Sequence, residues 1–149
     1  QGPSSEIYWS VENNTLGEAA LVVISEMGEE NIPGTFLSEP KKSNGRSFRR
    51  GFNTTNRSKL TACAKFKQWV ETDKLTIKSK RLLSEVKTFV ARGASYAAKE
   101  GETDDLVMST LLAVRMTMLI SQYDENTFED MRDSFGDDEY LAPMPIGLI

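Results

Sequence analysis

Hydrophobic and polar side chains alternate along EIYWSVE at residues 6–12, a period of two that predicts a strand of a half-buried sheet ending at Glu12. After a short turn, apolar residues recur at helical spacing from Leu16 onward. This pattern predicts a helix with Thr15 as its N-cap and Gly28 as its C-terminal stop. The chain therefore begins with a strand, a carboxylate and a helix, in that order.

The middle of the chain alternates between short strand candidates and amphipathic helices, separated by Gly and Pro. The predicted elements are a strand at 35–37, a loop at 41–56, a helix over 57–72, a strand at 74–79, a helix over 81–90 stopped by Gly93, and either a short strand or an extended segment at 94–101. The alternation of the two element types predicts an α/β fold.

The most apolar segment, DDLVMSTLLAVRMTMLISQY at 104–123, predicts a buried helix. Its start carries Thr103, Asp104 and Asp105, which suit cap or first-turn positions beside unpaired backbone N–H groups. After it, residues 124–139 hold eight acids and one Arg, which predicts a short acidic helix followed by an irregular tail. We therefore divide the chain into a main domain at 1–122 and an acidic C-terminal helix and tail at 123–149.

The composition of the chain limits the kinds of catalytic and metal site that it can form. The 149 residues suffice for one core, and they include no His and one Cys, Cys63. The absence of His excludes Ser/His and Cys/His nucleophilic pairs and His-containing zinc sites, and a single Cys excludes an all-Cys zinc site and an internal disulfide. No apolar run approaches the roughly 20 residues of a membrane span, so we expect a soluble protein without membrane contact.

The net charge of −4 conceals a segregated distribution. Residues 41–80, here named the basic segment, hold 12 Lys and Arg against two acids, a local charge of +10. The remaining residues carry −14. Because the cations are interleaved with Ser, Thr, Asn and aromatic residues, the pattern indicates phosphate binding, with a solvated basic face as the alternative.

Three carboxylates occupy positions where α/β sheets place their sites. Glu12 ends a strand, while Asp104 and Asp105 begin a buried helix, and strand ends and helix starts tend to converge in one crevice. Such acids can hold Mg²⁺ or Mn²⁺ through oxygen ligands. The structural alternatives are that Asp104 is a plain N-cap and Glu12 a solvated strand-end acid.

Several segments together resemble the nuclease domain of the large terminase subunit of tailed phages of the myovirus type. KEGETDDLVMSTLLA is similar to the last catalytic motif of that family, with Thr103 in place of its usual His. SVENNTLGEAAL resembles the motif of the middle catalytic Glu, and residues 49–79 and 84–101 resemble the segments between. The similarity covers most of residues 6–122, corresponding to the C-terminal portion of the domain.

The resemblance implies an RNase H-like fold, related to RuvC-type resolvases, in which carboxylates bind Mg²⁺ or Mn²⁺ and cut concatemeric DNA during genome packaging. Glu12 would be the middle acid, Asp105 the final metal ligand and Asp104 its neighbour. Positions for DNA contacts are Arg49, Arg50, Arg57 and Lys59. Neither the family's first catalytic Asp nor a phosphate-binding Gly-x-x-x-x-Gly-Lys-Ser/Thr loop is found here.

Because the first central strands of the family are missing, the expected fold is incomplete, and a complementing N-terminal chain or self-association is expected to cover it. The resemblance also implies double-stranded DNA, the portal or the small terminase subunit as partners, in the cytoplasm of an infected bacterial host. The alternative function is a catalytically silent DNA-binding or packaging-assembly module that lacks the third catalytic carboxylate.

Overall fold

The computed structural model describes residues 6–40, 50–93 and 95–134. Within these ranges the chain is a mixed α/β protein with four α-helices and two two-stranded sheets. In chain order the elements are β1 Tyr8–Trp9, α1 Thr15–Met27, a 3-10 turn Glu29–Asn31, β2 Thr35–Phe36, α2 Asn56–Glu71, α3 Lys80–Thr88, β3 Phe89–Arg92, β4 Ser95–Ala98 and α4 Asp105–Ser134. The α/β class is confirmed.

The strand predicted for residues 6–12 is shorter and changes partner along its length. β1 pairs in parallel with β2, placing Tyr8 opposite Thr35, and the next partner is Phe52, which forms an isolated parallel bridge with Glu12. Glycine allows the paired backbone segments to approach each other closely. Gly51 adopts φ +78°, and a Cβ there would lie 2.3 Å from the Val11 carbonyl oxygen.

Two helix boundaries follow the local sequence closely. α1 ends before Gly28 as predicted, but its N-cap is Asn14 rather than Thr15, since the Asn14 side chain accepts a hydrogen bond from the Gly17 N–H. α2 begins with a capping box in which Thr55 and Ser58 satisfy each other's backbone N–H groups. These helix starts are determined by residues three positions apart.

The strand predicted at 74–79 was wrong. After α2 the backbone N–H groups of Lys74 and Leu75 both donate to the Trp69 carbonyl, so this segment is tied to the end of α2. Asp73 adopts φ 56°, the left-handed conformation that commonly ends a helix. Hydrogen bonding to the preceding helix therefore overrides the alternating pattern.

The helix predicted over 81–90 ends earlier, because its last residues join a hairpin. β3 pairs antiparallel with β4, with Phe89 opposite Ala98 and Val90 opposite Ala97. Gly93, with φ +60°, lies in the turn of this hairpin rather than stopping a helix. The strand predicted within 94–101 is confirmed as β4.

Residues 125–134 are helical as predicted, but they continue α4 rather than form a separate short acidic helix. No Gly or Pro occurs between Asp105 and Ser134 to interrupt it. By length and composition alone, Asp105–Asp124 could cross a membrane, which corrects the expectation that no apolar stretch is long enough. A single helix of this kind is weak evidence, because core helices of soluble proteins pass the same test.

The chain divides into two compact units, Gln1–Met116 and Thr117–Ile149. The first unit has its core between α2 and the first turns of α4, where Ala62, Val107 and Leu111 are 1–3% exposed. Side chains of α3 and β3 pack against this core, including Leu82, Val86 and Phe89. In the second unit, the described residues are the C-terminal part of α4.

Candidate functional site

Glu12 lies at the junction between the β1 strand and α1. The Asn13 N–H donates to the Phe52 carbonyl at 2.7 Å, and the Phe52 N–H donates to the Val11 carbonyl at 3.0 Å. These bonds hold the backbone on both sides of Glu12. Its half-buried carboxylate accepts a hydrogen bond from the Asn14 side-chain amide at 3.1 Å. Glu12 is therefore a fixed acid, but it lies in an isolated bridge three residues beyond β1 rather than at the end of a regular strand as predicted.

Gly17 was missed as a determinant of this junction. A Cβ at Gly17 would lie 1.7 Å from the Glu12 carbonyl oxygen, so any side chain forces the helix away from the strand. Its signal in the sequence was a glycine in the first turn of a predicted helix, where glycine is unfavourable without a packing reason. The close approach of α1 to Glu12 supplies that reason.

The start of α4 is held from a distance by Glu85 of α3. One Glu85 carboxylate oxygen accepts from the Leu106 and Val107 N–H groups at 2.8 and 3.1 Å, and the other from the Thr103 hydroxyl at 3.2 Å. These N–H groups have no partner within the helix, and the positive end of the macrodipole favours a carboxylate there. Glu85 therefore performs the capping role that the sequence predicts for the aspartates.

Asp104 has the N-cap position but not the side-chain bond of a cap. Its carbonyl accepts from the Met108 N–H, whereas its carboxylate accepts from the Ala98 N–H at 3.2 Å. The Asp104 side chain thus ties α4 to β4. Asp105, in the first helical turn, is exposed, and its carboxylate makes no hydrogen bond within the described residues.

The contact between α4 and the Glu12 junction runs through Arg115. Its guanidinium lies 5.1 Å from the centroid of the Phe52 ring, donates to the Asn53 carbonyl at 3.0 Å, and pairs with Glu39. Ten residues separate Arg115 from Asp105, which is about 15 Å along a helix axis. The Arg115 contacts near the Glu12–Phe52 bridge are therefore distant from the start of α4, where Asp105 lies.

The described residues do not assemble a complete metal centre. Among residues 6–40, 50–93 and 95–134, no group of three or more Cys, Asp or Glu side chains is arranged to hold a metal ion. Glu12, Asp104 and Asp105 are thus not gathered into one three-acid site. The Asp104 carboxylate accepts from the Ala98 N–H and the Glu12 carboxylate from the Asn14 amide, whereas that of Asp105 makes no hydrogen bond within the described residues.

The four cations predicted to contact DNA differ in their surroundings. Arg57 is exposed in the first turn of α2, a turn without acids. Arg50 pairs with Glu29 and lies 5.2 Å from the Phe36 ring centroid. Lys59 is half-buried, with its ammonium 5.4 Å from the Phe89 ring centroid. Arg49 lies outside the described residues.

These surroundings rank the described cations for phosphate contacts. Within the described residues no hydrogen bond or ion pair engages the Arg57 guanidinium, whereas Arg50 would have to exchange Glu29 for a phosphate. Lys59 lies over an aromatic ring, where cation–π attraction holds its ammonium in place.

No family model matches this sequence.

Proposed function

We propose that this chain binds double-stranded DNA through the phosphate backbone, as part of a packaging nuclease of the terminase type. The observation that carries the proposal is Arg57, exposed in the acid-free first turn of α2 within a basic segment of net charge +10. The start of a helix favours anions through its free N–H groups and its macrodipole. A guanidinium at the same place adds bidentate phosphate recognition.

Contacts to the backbone alone do not discriminate between base sequences. In the described part of the basic segment the Thr55 and Ser58 hydroxyls are already used in the capping box, so they are not free to read base edges. Sequence-independent binding with a strong salt dependence is therefore the expected behaviour.

Metal-dependent cleavage of DNA is the second candidate function. The observation that favours it is that both candidate ligands lie at helix starts held by specific bonds, Glu12 by the Phe52 bridge and Asp105 beside the Glu85 contacts. In this candidate Glu12 and Asp105 hold Mg²⁺ or Mn²⁺, with Asp104 as their neighbour. Because the described residues lack a three-acid group, a further carboxylate from outside them is required, and we assign no catalytic step.

The RNase H-like fold and the partners remain part of the proposal. An exposed apolar row on α1 supports a covering partner, since Leu16, Val23 and Met27 are 83%, 50% and 61% exposed. A complementing N-terminal chain or a second copy would bury this row, and the portal or small terminase subunit would be further partners in the cytoplasm of the host bacterium. In this proposal the apolar row on α1 contacts a protein partner and the basic segment contacts DNA, both within one packaging assembly.

The DNA proposal is tested by fluorescence anisotropy with two unrelated duplexes of equal length. Replacing Arg49, Arg50 and Arg57 together by Gln is expected to weaken binding to both duplexes by the same factor. A loss confined to one duplex would indicate base recognition instead, and unchanged affinity for both would refute the DNA proposal.

The cleavage candidate is tested separately with supercoiled plasmid and Mn²⁺, with and without a chain that supplies the upstream strands of the nuclease domain. Cleavage that needs the added chain and disappears in Asp105→Asn, with DNA binding unchanged, supports the candidate. Cleavage that is equal in wild type and Asp105→Asn would remove Asp105 from it while leaving the DNA proposal intact.

A further inference from the structure

A cavity of about 440 Å³ lies against the core of the first unit, between α2, α3, the β3–β4 hairpin and α4. Ligand sites in proteins have volumes of roughly 300 to 1,000 Å³ and mostly apolar walls. The apolar walls of this cavity include Leu60, Phe66, Val86, Phe89, Val107 and Leu111. Its size and lining therefore fit a small molecule with an apolar body.

The walls combine a rigid base with an accessible opening. Val107 and Leu111 are 2% and 3% exposed and belong to the core cluster. By contrast, Leu60 and Tyr96 are 39% and 37% exposed, although both line the same cavity. An apolar molecule that enters removes this surface from water, which is the favourable contribution of hydrophobic burial.

One row of α2 supplies positive charge at this cavity. Lys59, Cys63 and Lys67 follow one another at intervals of four residues, so they are neighbours along one helix face. Cys63 and Lys67 line the cavity, and the Lys59 ammonium lies 5.4 Å from the ring centroid of Phe89, which also lines it. The thiol therefore has an ammonium group one turn away on either side.

No carboxylate is present among the described residues that line this cavity. The acid paired with Lys67 is Glu71, at 3.7 Å, and both side chains are mostly exposed. Water and salt weaken such a pair, so an anionic head group can compete for Lys67. The charge of the opening is thus complementary to an anion rather than to a cation.

We propose that this cavity binds a small monoanionic amphiphile of the class of free medium-chain carboxylates. Its chain lies among Phe66, Val86 and Leu111, and its carboxylate pairs with the Lys67 ammonium group at the opening. The Cys63 thiol is a contact in this site and not a nucleophile. Burial raises the pKa of the thiol, an effect that the nearby Lys59 only partly offsets, so the thiolate is disfavoured.

Cys63 provides the test, because it is the only cysteine in the chain. The rate at which the folded protein reacts with an aromatic disulfide reagent is measured against increasing decanoate, below the concentration at which decanoate forms micelles. We expect saturable protection of Cys63 by decanoate. Decanol, which has the same chain without the charge, is expected to protect at roughly tenfold higher concentration.

Charge reversal at the opening separates head-group pairing from simple apolar binding. Lys67→Glu is expected to weaken the protection by decanoate about tenfold and to leave the protection by decanol unchanged. Lys74→Glu makes the same charge change at an exposed residue that does not line the cavity, and it is expected to behave as wild type. Circular dichroism of each variant verifies that the fold is retained.

Four outcomes would overturn the proposal. Decanoate would fail to slow the reaction of Cys63, or Lys67→Glu and Lys74→Glu would be protected equally. Alternatively, Cys63 would react only after unfolding, which would mean that other parts of the chain already fill the cavity. A DNA duplex that protects Cys63 as well as decanoate does would assign this face to DNA instead.

Discussion

The starts of α1 and α4 carry the candidate carboxylates, yet they are stabilised in different ways. At α1 the cap is local, since Asn14 accepts from Gly17 three residues later, at 2.9 Å. At α4 the cap comes from another helix, since Glu85 accepts from Leu106 and Val107, 21 and 22 residues away. Both helix starts therefore need acceptors for their free N–H groups. Only the acceptor at α1 is a sequence neighbour that a local pattern can reveal.

This difference shows why the acid nearest a helix start need not be its cap. In α1 the neighbouring acid Glu12 accepts a hydrogen bond from the amide of Asn14. In α4 the acid at the N-cap position, Asp104, bonds to Ala98 of β4, while Asp105 makes no hydrogen bond within the described residues. In both cases the cap is a different residue, which leaves Glu12 and Asp105 in place for another role.

The largest expected effect is at the α1 junction. The methyl group added by Gly17→Ala would lie 1.7 Å from the Glu12 carbonyl oxygen, so α1 and the backbone at Glu12 must separate. We expect the free energy of unfolding to fall by about 3 kcal/mol, as for a severe case of overpacking. Urea denaturation followed by circular dichroism measures it.

The matched control for Gly17→Ala is Ser25→Ala, which changes an exposed position of the same helix. It is expected to alter the free energy of unfolding by less than about 0.5 kcal/mol. Equal midpoints for Gly17→Ala and wild type would show that α1 does not approach Glu12 this closely.

A smaller effect is expected at the α4 junction. Glu85→Ala leaves two first-turn N–H groups and the Thr103 hydroxyl without their acceptor, at a cost of about 2 kcal/mol in the free energy of unfolding. Glu85→Gln retains one acceptor oxygen and should recover part of this loss. Glu102→Ala, at an exposed acid near the same junction, is the control, and a loss equal to that of Glu85→Ala would contradict the long-range cap.

The identity of the α1 cap gives a sharper, smaller test. Asn14→Ala should reduce the free energy of unfolding by about 1 kcal/mol, because the Gly17 N–H loses its acceptor. Thr15→Ala should cost less than about 0.5 kcal/mol, because Thr15 is an exposed first-turn residue. The reverse order of the two losses in thermal denaturation would restore Thr15 as the cap.

The smallest effect is expected at Asp104. Asp104→Asn keeps an oxygen that can accept from the Ala98 N–H, so stability should change by less than about 0.5 kcal/mol. Asp104→Ala removes that acceptor and should cost about 1 kcal/mol. If both variants lose the same amount, the charge of Asp104 rather than its bond to β4 is what stabilises the junction.

Local patterns in the sequence predicted the parts of the fold that depend on neighbouring residues. The bounds of α1 and α2 were predicted to within about one residue, because apolar spacing and capping residues are local signals. The hairpin was harder, since β3 forms only by pairing with β4 and interrupts a helical pattern at Phe89. The segment after α2 has a strand-like alternation but pairs with no strand within the described residues.

The candidate site was predicted in part for the same reason. Glu12 lies in an isolated bridge beyond β1 rather than at the end of a regular strand, whereas the helix-start position of Asp105 follows from the pattern of the chain. The roles of Glu85 and Arg115 do not, because each contacts residues that are 18 to 76 positions away in the sequence. No local spacing marks such partners, and only the packing of α3, α4 and the sheet brings them together.

The measurement that tests the central claim most directly is the salt dependence of DNA binding. A plot of the logarithm of the binding constant against that of the salt concentration is recorded for wild type, Arg57→Gln and the control Lys99→Gln, an exposed residue outside the basic segment. If Arg57 contacts a phosphate, its removal should reduce the slope by about 0.9, while Lys99→Gln leaves the slope unchanged. A slope for Arg57→Gln equal to that of wild type would contradict the proposal that Arg57, at the start of α2, contacts the DNA backbone.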